Sequence, residues 1–372
     1  MRIALIARRF DPAGGGTERD LIMTTRVLRA AEHDVRIYAA DVRKPTAEFE
    51  VRPVRCWGVG RTLRLLSFAA RAAAQARRDG ASIVFSFARI AGADILRSGG
   101  SAHASYIRAA RSWQGPLAAA AMRLSPYHRA QLAIERRGFA SPTLKRTIAV
   151  SALVRRDLLA TFGLAPATAV TLYNGVDLDR FRPESRARFR AAVRRELHLP
   201  ESAPMVAFAG NGFARKGLRF LIEAWPRLES SAILVVVGSD QAAGKYRRLA
   251  RRRGVAERIR FIGTHPQIEQ IFAAVDAFAL PSLFEPFGNV LMEAMAAGLP
   301  VLCSSACGAA ELMAPAMREF VVADPTEIAE LAARLTALIE VGEDLRQVAR
   351  ATAEQFSWES HDANLLRIVR GL

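Results

Sequence analysis

Two glutamates, Glu285 and Glu293, stand in the otherwise apolar stretch Leu283-Phe-Glu-Pro-Phe-Gly-Asn-Val-Leu-Met-Glu-Ala-Met-Ala-Ala-Gly-Leu-Pro-Val301. The pattern predicts a strand ending at 281–282 and a helix that begins near Gly288. Gly298, with Pro300 beyond it, stops that helix. Phe287, Gly288 and Asn289 then aim backbone N–H groups above the strand ends, an anion site suited to a diphosphate. Glu285 lies before the helix and Glu293 within it, so the two carboxylates can accept hydrogen bonds from two different sugars of one ligand. Without a ligand, the same residues read as a helix cap and a solvated side chain.

Three further segments bear on that chemistry. Gly210-Asn-Gly-Phe-Ala-Arg-Lys-Gly217 follows a run of strand character at 206–209 and opens a helix. Arg215 and Lys216 on such a turn can place two cations on a diphosphate and neutralise a leaving group, although an ordinary strand-to-helix turn reads the same way. Asp11-Pro-Ala-Gly-Gly-Gly-Thr-Glu-Arg-Asp20 follows the first strand. It is not the Gly-x-Gly-x-x-Gly of dehydrogenases, but Gly15 and Gly16 still permit close backbone approach to a ligand. Arg19 and Asp20, one turn into the helix, either face a ligand or form a solvated ion pair. His103, in Ser98-Gly-Gly-Ser-Ala-His-Ala-Ser-Tyr106, is placed on a glycine-rich loop after a strand at 94–96. There it is a candidate for the sugar or the reaction centre, or a structural histidine. Asp177-Leu-Asp179 has the form of a metal-binding Asp-x-Asp, but it directly follows the turn Asn174-Gly-Val, and we assign no metal site.

The elements that must position these residues form two consecutive alternating sets. Strand character falls at 3–7, 35–39, 83–87 and 147–151, then at 206–209, 233–237, 260–262, 277–280, 301–304 and 320–322. Continuous Val, Ile, Leu and Phe runs bounded by Gly, Pro or Ser fit strands buried on both faces, hence parallel sheets covered by helices. The expected fold is α/β, with two doubly wound Rossmann-like domains over 1–170 and 171–356 and a helix at 357–372 returning to the first. Ligand is expected at the carboxyl ends of the strands.

Charge is distributed unevenly. Residues 1–170 hold 28 Lys+Arg against 12 Asp+Glu, a surplus of 16 out of the net +17. A polyanionic partner for the first half follows: nucleic acid, anionic lipid or a phosphorylated glycan. The segment 106–137 interleaves Arg108, Arg111, Arg123, Arg129, Arg136 and Arg137 with Trp113, Leu117, Met122 and Leu124. It reads as helical, amphipathic and cationic, suited to an anionic membrane surface or, alternatively, to packing by its apolar face. Nucleic acid is disfavoured, since no binding motif or aromatic platform is present and aromatic residues make up only 8%. Apolar runs are too short to span a bilayer, no leader is evident, and Cys56, Cys303 and Cys307 make no disulfide framework. The expected location is therefore cytoplasmic.

The Glu-x7-Glu pair within Glu-Pro-Phe-Gly…Glu-Ala-Met-Ala-x-Gly-x-Pro-Val resembles glycosyltransferase family 4, and the likeness runs along essentially the whole chain. It implies the GT-B fold, two Rossmann-like domains facing a central cleft. Glu293 would bind ribose hydroxyls, Glu285 and the adjacent backbone the transferred sugar, Arg215 and Lys216 the phosphates. Gly15 and Gly16 would approach the donor phosphate, and His103 sits where family histidines often occur. Phe10…Gly-Gly…Glu-Arg-Asp20, Gly92 to Asp94 and Ala-Gly-Leu-Pro-Val-Leu302 are most similar to the lipopolysaccharide core glucosyltransferase I group, although Gly100-Ser101 replaces an expected acidic residue. The resemblance implies a retaining, metal-independent hexosyltransferase that needs no cofactor. UDP-glucose would be the donor, and a phosphorylated heptose of the lipopolysaccharide inner core the acceptor. The enzyme would sit peripherally on the inner face of the cytoplasmic membrane. The rivals are another hexosyl- or mannosyltransferase of the family, a GT-B epimerase and, in a different class, a basic nucleic-acid-binding protein.

Overall fold

The computed structural model describes residues 1–44 and 47–372. The chain divides into two compact units, one of residues 1–174 with 359–372 and the other of residues 175–358. The first holds seven strands: β1 (Arg2–Phe10), β2 (Asp34–Val42), β3 (Val51–Pro53), β4 (Ile83–Ser86), β5 (Ile95–Ser98), β6 (Arg146–Ala149) and β7 (Ala169–Thr171). They pair in the order β3-β2-β1-β4-β5-β6-β7, all parallel. Register is set by core residues: Leu5 of β1 lies opposite Ile37 of β2 and Phe85 of β4. All three are inaccessible to solvent, and each such side chain contributes roughly 1.5–3 kcal/mol by leaving water. The final helix, Trp358–Arg370, sends Leu365 and Val369 into this same core.

The second unit has six strands: β8 (Met205–Ala209), β9 (Ile233–Val237), β10 (Ile259–Gly263), β11 (Ala277–Leu280), β12 (Val301–Ser304) and β13 (Val321–Val322). Their order, β10-β9-β8-β11-β12-β13, repeats that of the first sheet. Both units are thus doubly wound, as the alternating pattern predicts, and in each the order reverses beside the first strand. Helix Ser185–Glu196 is fastened by Arg186, Arg190 and Arg194, whose guanidinium groups lie 2.6, 2.9 and 2.9 Å from Asp276. Arg194 is buried there, so part of the basic content is structural.

The structure corrects several sequence expectations. Strand β5 runs two residues beyond the expected 94–96, and β3 and β7 were not anticipated. Each of those two has three residues and forms a sheet edge, and β3 contains Arg52 and Pro53, so neither shows a buried-strand run. The basic segment is three helices, His103–Gln114, Pro116–Leu124 and Pro126–Phe139. Gly115, at φ +89°, and two prolines at first-turn positions interrupt it. Among the described residues no helix is long and apolar enough to cross a membrane.

Candidate functional site

In the second unit the strand order reverses between β8 and β11. The turn after β8 carries Arg215 and Lys216, and the loop after β11 carries Glu285. Their meeting depends on a close backbone approach. Gly217 has φ +81°, and a Cβ there would come within 1.9 Å of the Pro281 carbonyl oxygen. Beside it, the Leu283 N–H donates to the Arg215 carbonyl at 2.8 Å. The two switch-point loops are therefore laced together by main chain before any side chain contributes.

Glu285 receives both cations on one oxygen. Lys216 Nζ donates to Oε2 at 2.7 Å and Arg215 Nη1 to the same atom at 3.1 Å. Arg215 Nη1 also donates to the Phe284 carbonyl at 2.6 Å, which fixes the fork beside the loop. Burial raises the Glu285 carboxyl, but the neighbouring Lys216 and Arg215 outweigh it and hold the group below the ordinary glutamate range. The carboxylate is therefore ionised at neutral pH, and its two cations are anchored where an anionic ligand could share them.

The opposite wall of the Glu285 loop is the segment after β12, which sequence reading missed. The Glu285 N–H donates to the Ala306 carbonyl at 3.0 Å, and the Gly308 N–H donates back to the Glu285 carbonyl at 2.9 Å. The Phe287 carbonyl accepts from the Ala309 N–H at 2.8 Å and from the Cys307 thiol at 3.0 Å. Cys307 is buried, and its thiol pins this loop. Nothing local in the sequence signals a contact across twenty residues.

Helix Asn289–Ala296 follows, with Gly288 as its N-cap at φ +99° and no side-chain cap. A Cβ on Gly288 would lie 2.8 Å from Cys307 Sγ, so both conformation and space require glycine here. Glu293 lies on this helix and is half-buried. The second unit thus brings Arg215, Lys216, Glu285, Phe287, Gly288 and Asn289 onto adjoining loops at the strand ends, with Glu293 one turn along the helix.

The remaining candidates belong to the first unit. Gly15 caps and Gly16 begins helix Gly16–Ala30, directly after β1. Asp20 is buried, and its Oδ2 accepts from Arg97 Nε at 2.8 Å. Arg97 also donates to the Leu172 carbonyl and, at 2.7 Å, to Asn174 Oδ1. The solvated ion pair considered for Asp20 is therefore replaced by a buried one, because the helix turns this carboxylate into the sheet. His103 is not on the loop but is the first residue of its helix, buried, with its Nε2 2.8 Å from His128 Nδ1. Burial, with His128 and Arg89 adding to it, lowers its pKa to about 4, so the ring is neutral near pH 7. Arg89 donates to the carbonyls of Ser101 and Gly100 and pairs with Glu135, fixing the loop that lacks the expected acidic residue. Asp177 Oδ1 accepts the Arg180 N–H at 3.0 Å, and Asp179 faces Arg182 at 3.2 Å. Among the described residues no group of three or more His, Cys, Asp or Glu is arranged to hold a metal.

The two cations and the carboxylate at the switch point form a site for an anionic ligand, and sequence comparison gives the family. Residues 14–180 match the model described as Glycosyltransferase Family 4, and residues 189–355 match that of Glycosyl transferases group 1. The chain belongs to the GT-B glycosyltransferases. It is 26% identical to the lipopolysaccharide glucosyltransferase WaaG of Escherichia coli, over 87% of this chain and 86% of that protein. It is 31% identical to the D-inositol 3-phosphate glycosyltransferase of Streptomyces scabiei over 59% of this chain, but only 52% of that protein is spanned. The match thus spans about half the length of such inositol-phosphate relatives. The crystal structure of a WaaG superposes with a TM-score of 0.82 at 24% identity, covering all of both chains. Anabaena HepE in complex with UDP and glucose superposes at 0.73 and 22% identity, again over all of both chains.

Proposed function

We propose that the protein transfers glucose from UDP-glucose to a phosphorylated heptose of the lipopolysaccharide inner core, with retention of configuration and without a metal. The observation that carries this reading is the shared engagement of Glu285 by Lys216 and Arg215 at the switch point of the second unit. In the reaction, the bond between the anomeric carbon and the β-phosphate oxygen breaks. The acceptor hydroxyl oxygen bonds to that carbon from the same face, and its proton passes to the departing phosphate oxygen. Arg215 and Lys216 offset the charge developing on that oxygen, so no metal is needed for this purpose. Glu285 accepts hydrogen bonds from the hexose, Glu293 from the ribose, and the Gly288–Asn289 helix start faces the diphosphate. Gly15 and Gly16 at their helix start, and the neutral His103 ring, are the first unit's candidates for hydrogen bonding to substrate.

Support for the donor comes from the UDP and glucose bound by Anabaena HepE, and for the acceptor from the lipopolysaccharide relative. The surplus of 16 positive charges over residues 1–170 suits a phosphorylated acceptor at an anionic membrane on the cytoplasmic side. The test is a hydrolysis screen of UDP-, GDP- and ADP-sugars without acceptor, followed by transfer to deglucosylated lipopolysaccharide core. UDP-glucose should be turned over fastest, and the glycosidic product should keep the donor's anomeric configuration. Preference for another nucleotide, or an inverted product, would contradict the reading.

A further inference from the structure

The arginines of the first unit are of two kinds. Many face carboxylates, as Arg2 faces Asp34, Arg9 faces Glu18, Arg26 faces Glu48 and Arg97 faces Asp20. Arg8 and Arg61 do not. Both are exposed, and among the described residues neither forms an ion pair with a carboxylate. They converge on one phenol instead. Arg8 Nη1 donates to Tyr127 Oη at 3.0 Å across 119 positions of the chain. The Arg61 guanidinium carbon lies 4.3 Å from the centroid of the same ring.

Two guanidinium groups held against one tyrosine repel each other, and an anion shared by both would relieve the repulsion. The chemistry is specific. Tyr127 Oη accepts from Arg8, so its own O–H remains available as a donor. The two planar forks can each offer paired N–H groups to a tetrahedral dianion. Burial raises the Tyr127 phenol, but Arg8 and Arg61 outweigh burial and hold it below the ordinary tyrosine value, as expected of a strongly positive environment. Position agrees as well. Arg8 lies near the carboxyl end of β1, the strand at which the sheet order reverses and where doubly wound units take their ligands. Arg61 and Tyr127 each stand in the first turn of a helix, Gly60–Arg78 and Pro126–Phe139, and neither helix carries a side-chain cap.

We propose that Arg8, Arg61 and Tyr127 form a phosphomonoester-binding subsite for the acceptor. The use of the subsite rests on the glycosyltransferase reading, but its existence does not. The phosphate belongs to a sugar phosphate of the acceptor glycan rather than to a lipid headgroup, and the experiment separates the two sources.

Full-length protein is titrated calorimetrically with glucose 6-phosphate, with glucose, with UDP, and with phosphatidylglycerol vesicles. Wild type should bind glucose 6-phosphate and not glucose. Arg8→Gln with Arg61→Gln, and separately Tyr127→Phe, should each weaken glucose 6-phosphate by about tenfold or more, the range for hydrogen bonds to charged groups. All three side chains belong to the first unit and UDP is assigned to the second, so UDP binding should be unchanged, while far-UV circular dichroism and thermal unfolding report that the variants are folded. Equal affinity of wild type and the double variant for glucose 6-phosphate would overturn the subsite. So would a loss confined to vesicle binding, which would assign the arginines to a lipid surface. If wild type binds glucose 6-phosphate as predicted but not UDP, the subsite stands and the donor reading fails.

Discussion

Lys216 Nζ stands 2.7 Å from Oε2 of Glu285, an ion pair formed at the point where two loops from different strands are laced by main-chain bonds. An incoming diphosphate would compete with Glu285 for that ammonium. The same displacement would turn the carboxylate from a partner of lysine into an acceptor for sugar hydroxyls. The ion pair holds both groups in place.

The pair can be weighed by a double-mutant cycle in urea. Lys216→Met should destabilise the protein by about 1–3 kcal/mol, because it leaves a largely buried carboxylate with Arg215 as its remaining cation. Adding Glu285→Gln should recover part of that loss. Strict additivity of the two substitutions would mean that the contact carries no coupling. The folded Glu285 carboxyl lies below its ordinary value of 4.5, so this stability is present above that pH and lost as pH falls beneath it.

His103 gives a second pH dependence. Its folded pKa of about 4 lies below the ordinary 6.5, so the unfolded chain binds more protons between the two values. Stability is then fully present above 6.5 and falls as pH drops toward 4, by about 3 kcal/mol. His103→Asn should flatten that part of the profile relative to wild type, as read by thermal unfolding between pH 4 and pH 7. Parallel profiles would place the ring outside any desolvated environment.

Much of this was legible in sequence, for a physical reason. Strands such as β8 and β9 are buried along their whole length, so the apolar run itself identifies them. The Glu285 loop and its helix are continuous in the chain, so their spacing and the Gly288 and Gly298 boundaries can be read directly. What could not be read were contacts that only tertiary structure makes. Cys307 on the Phe287 carbonyl, Arg97 on Asp20, and the meeting of Arg8, Arg61 and Tyr127 each join distant segments with no local pattern. His103 was misplaced onto a loop because the preceding glycines conceal a helix start at the histidine itself.

Metal dependence is tested by chelation. Under the proposed mechanism, in which Arg215 and Lys216 offset the leaving-group charge, transfer should persist in excess EDTA. Loss of activity that manganese restores would return attention to Asp177 and Asp179.

Membrane attachment has a separate test on the three-helix basic segment. Leu117 and Leu124 of helix Pro116–Leu124 are 86% and 76% exposed, an apolar face beside the arginines. Replacing Arg108, Arg111 and Arg123 together with Gln should weaken binding to anionic vesicles by up to about 1 kcal/mol per residue, while donor hydrolysis in detergent stays constant. Unchanged vesicle binding would make these arginines a solvated face.

The most direct test of the account compares UDP binding by calorimetry in wild type, Glu293→Gln and Glu285→Gln, alongside donor kinetics. Glu293 is assigned to ribose, which does not change during reaction, so its substitution should weaken UDP and raise the donor KM with little change in kcat. Glu285 is assigned to the transferred sugar, so its substitution should leave UDP affinity nearly constant while kcat falls by about one to three orders of magnitude. Equal UDP affinity in wild type and Glu293→Gln would contradict the assignment of the donor to the second unit.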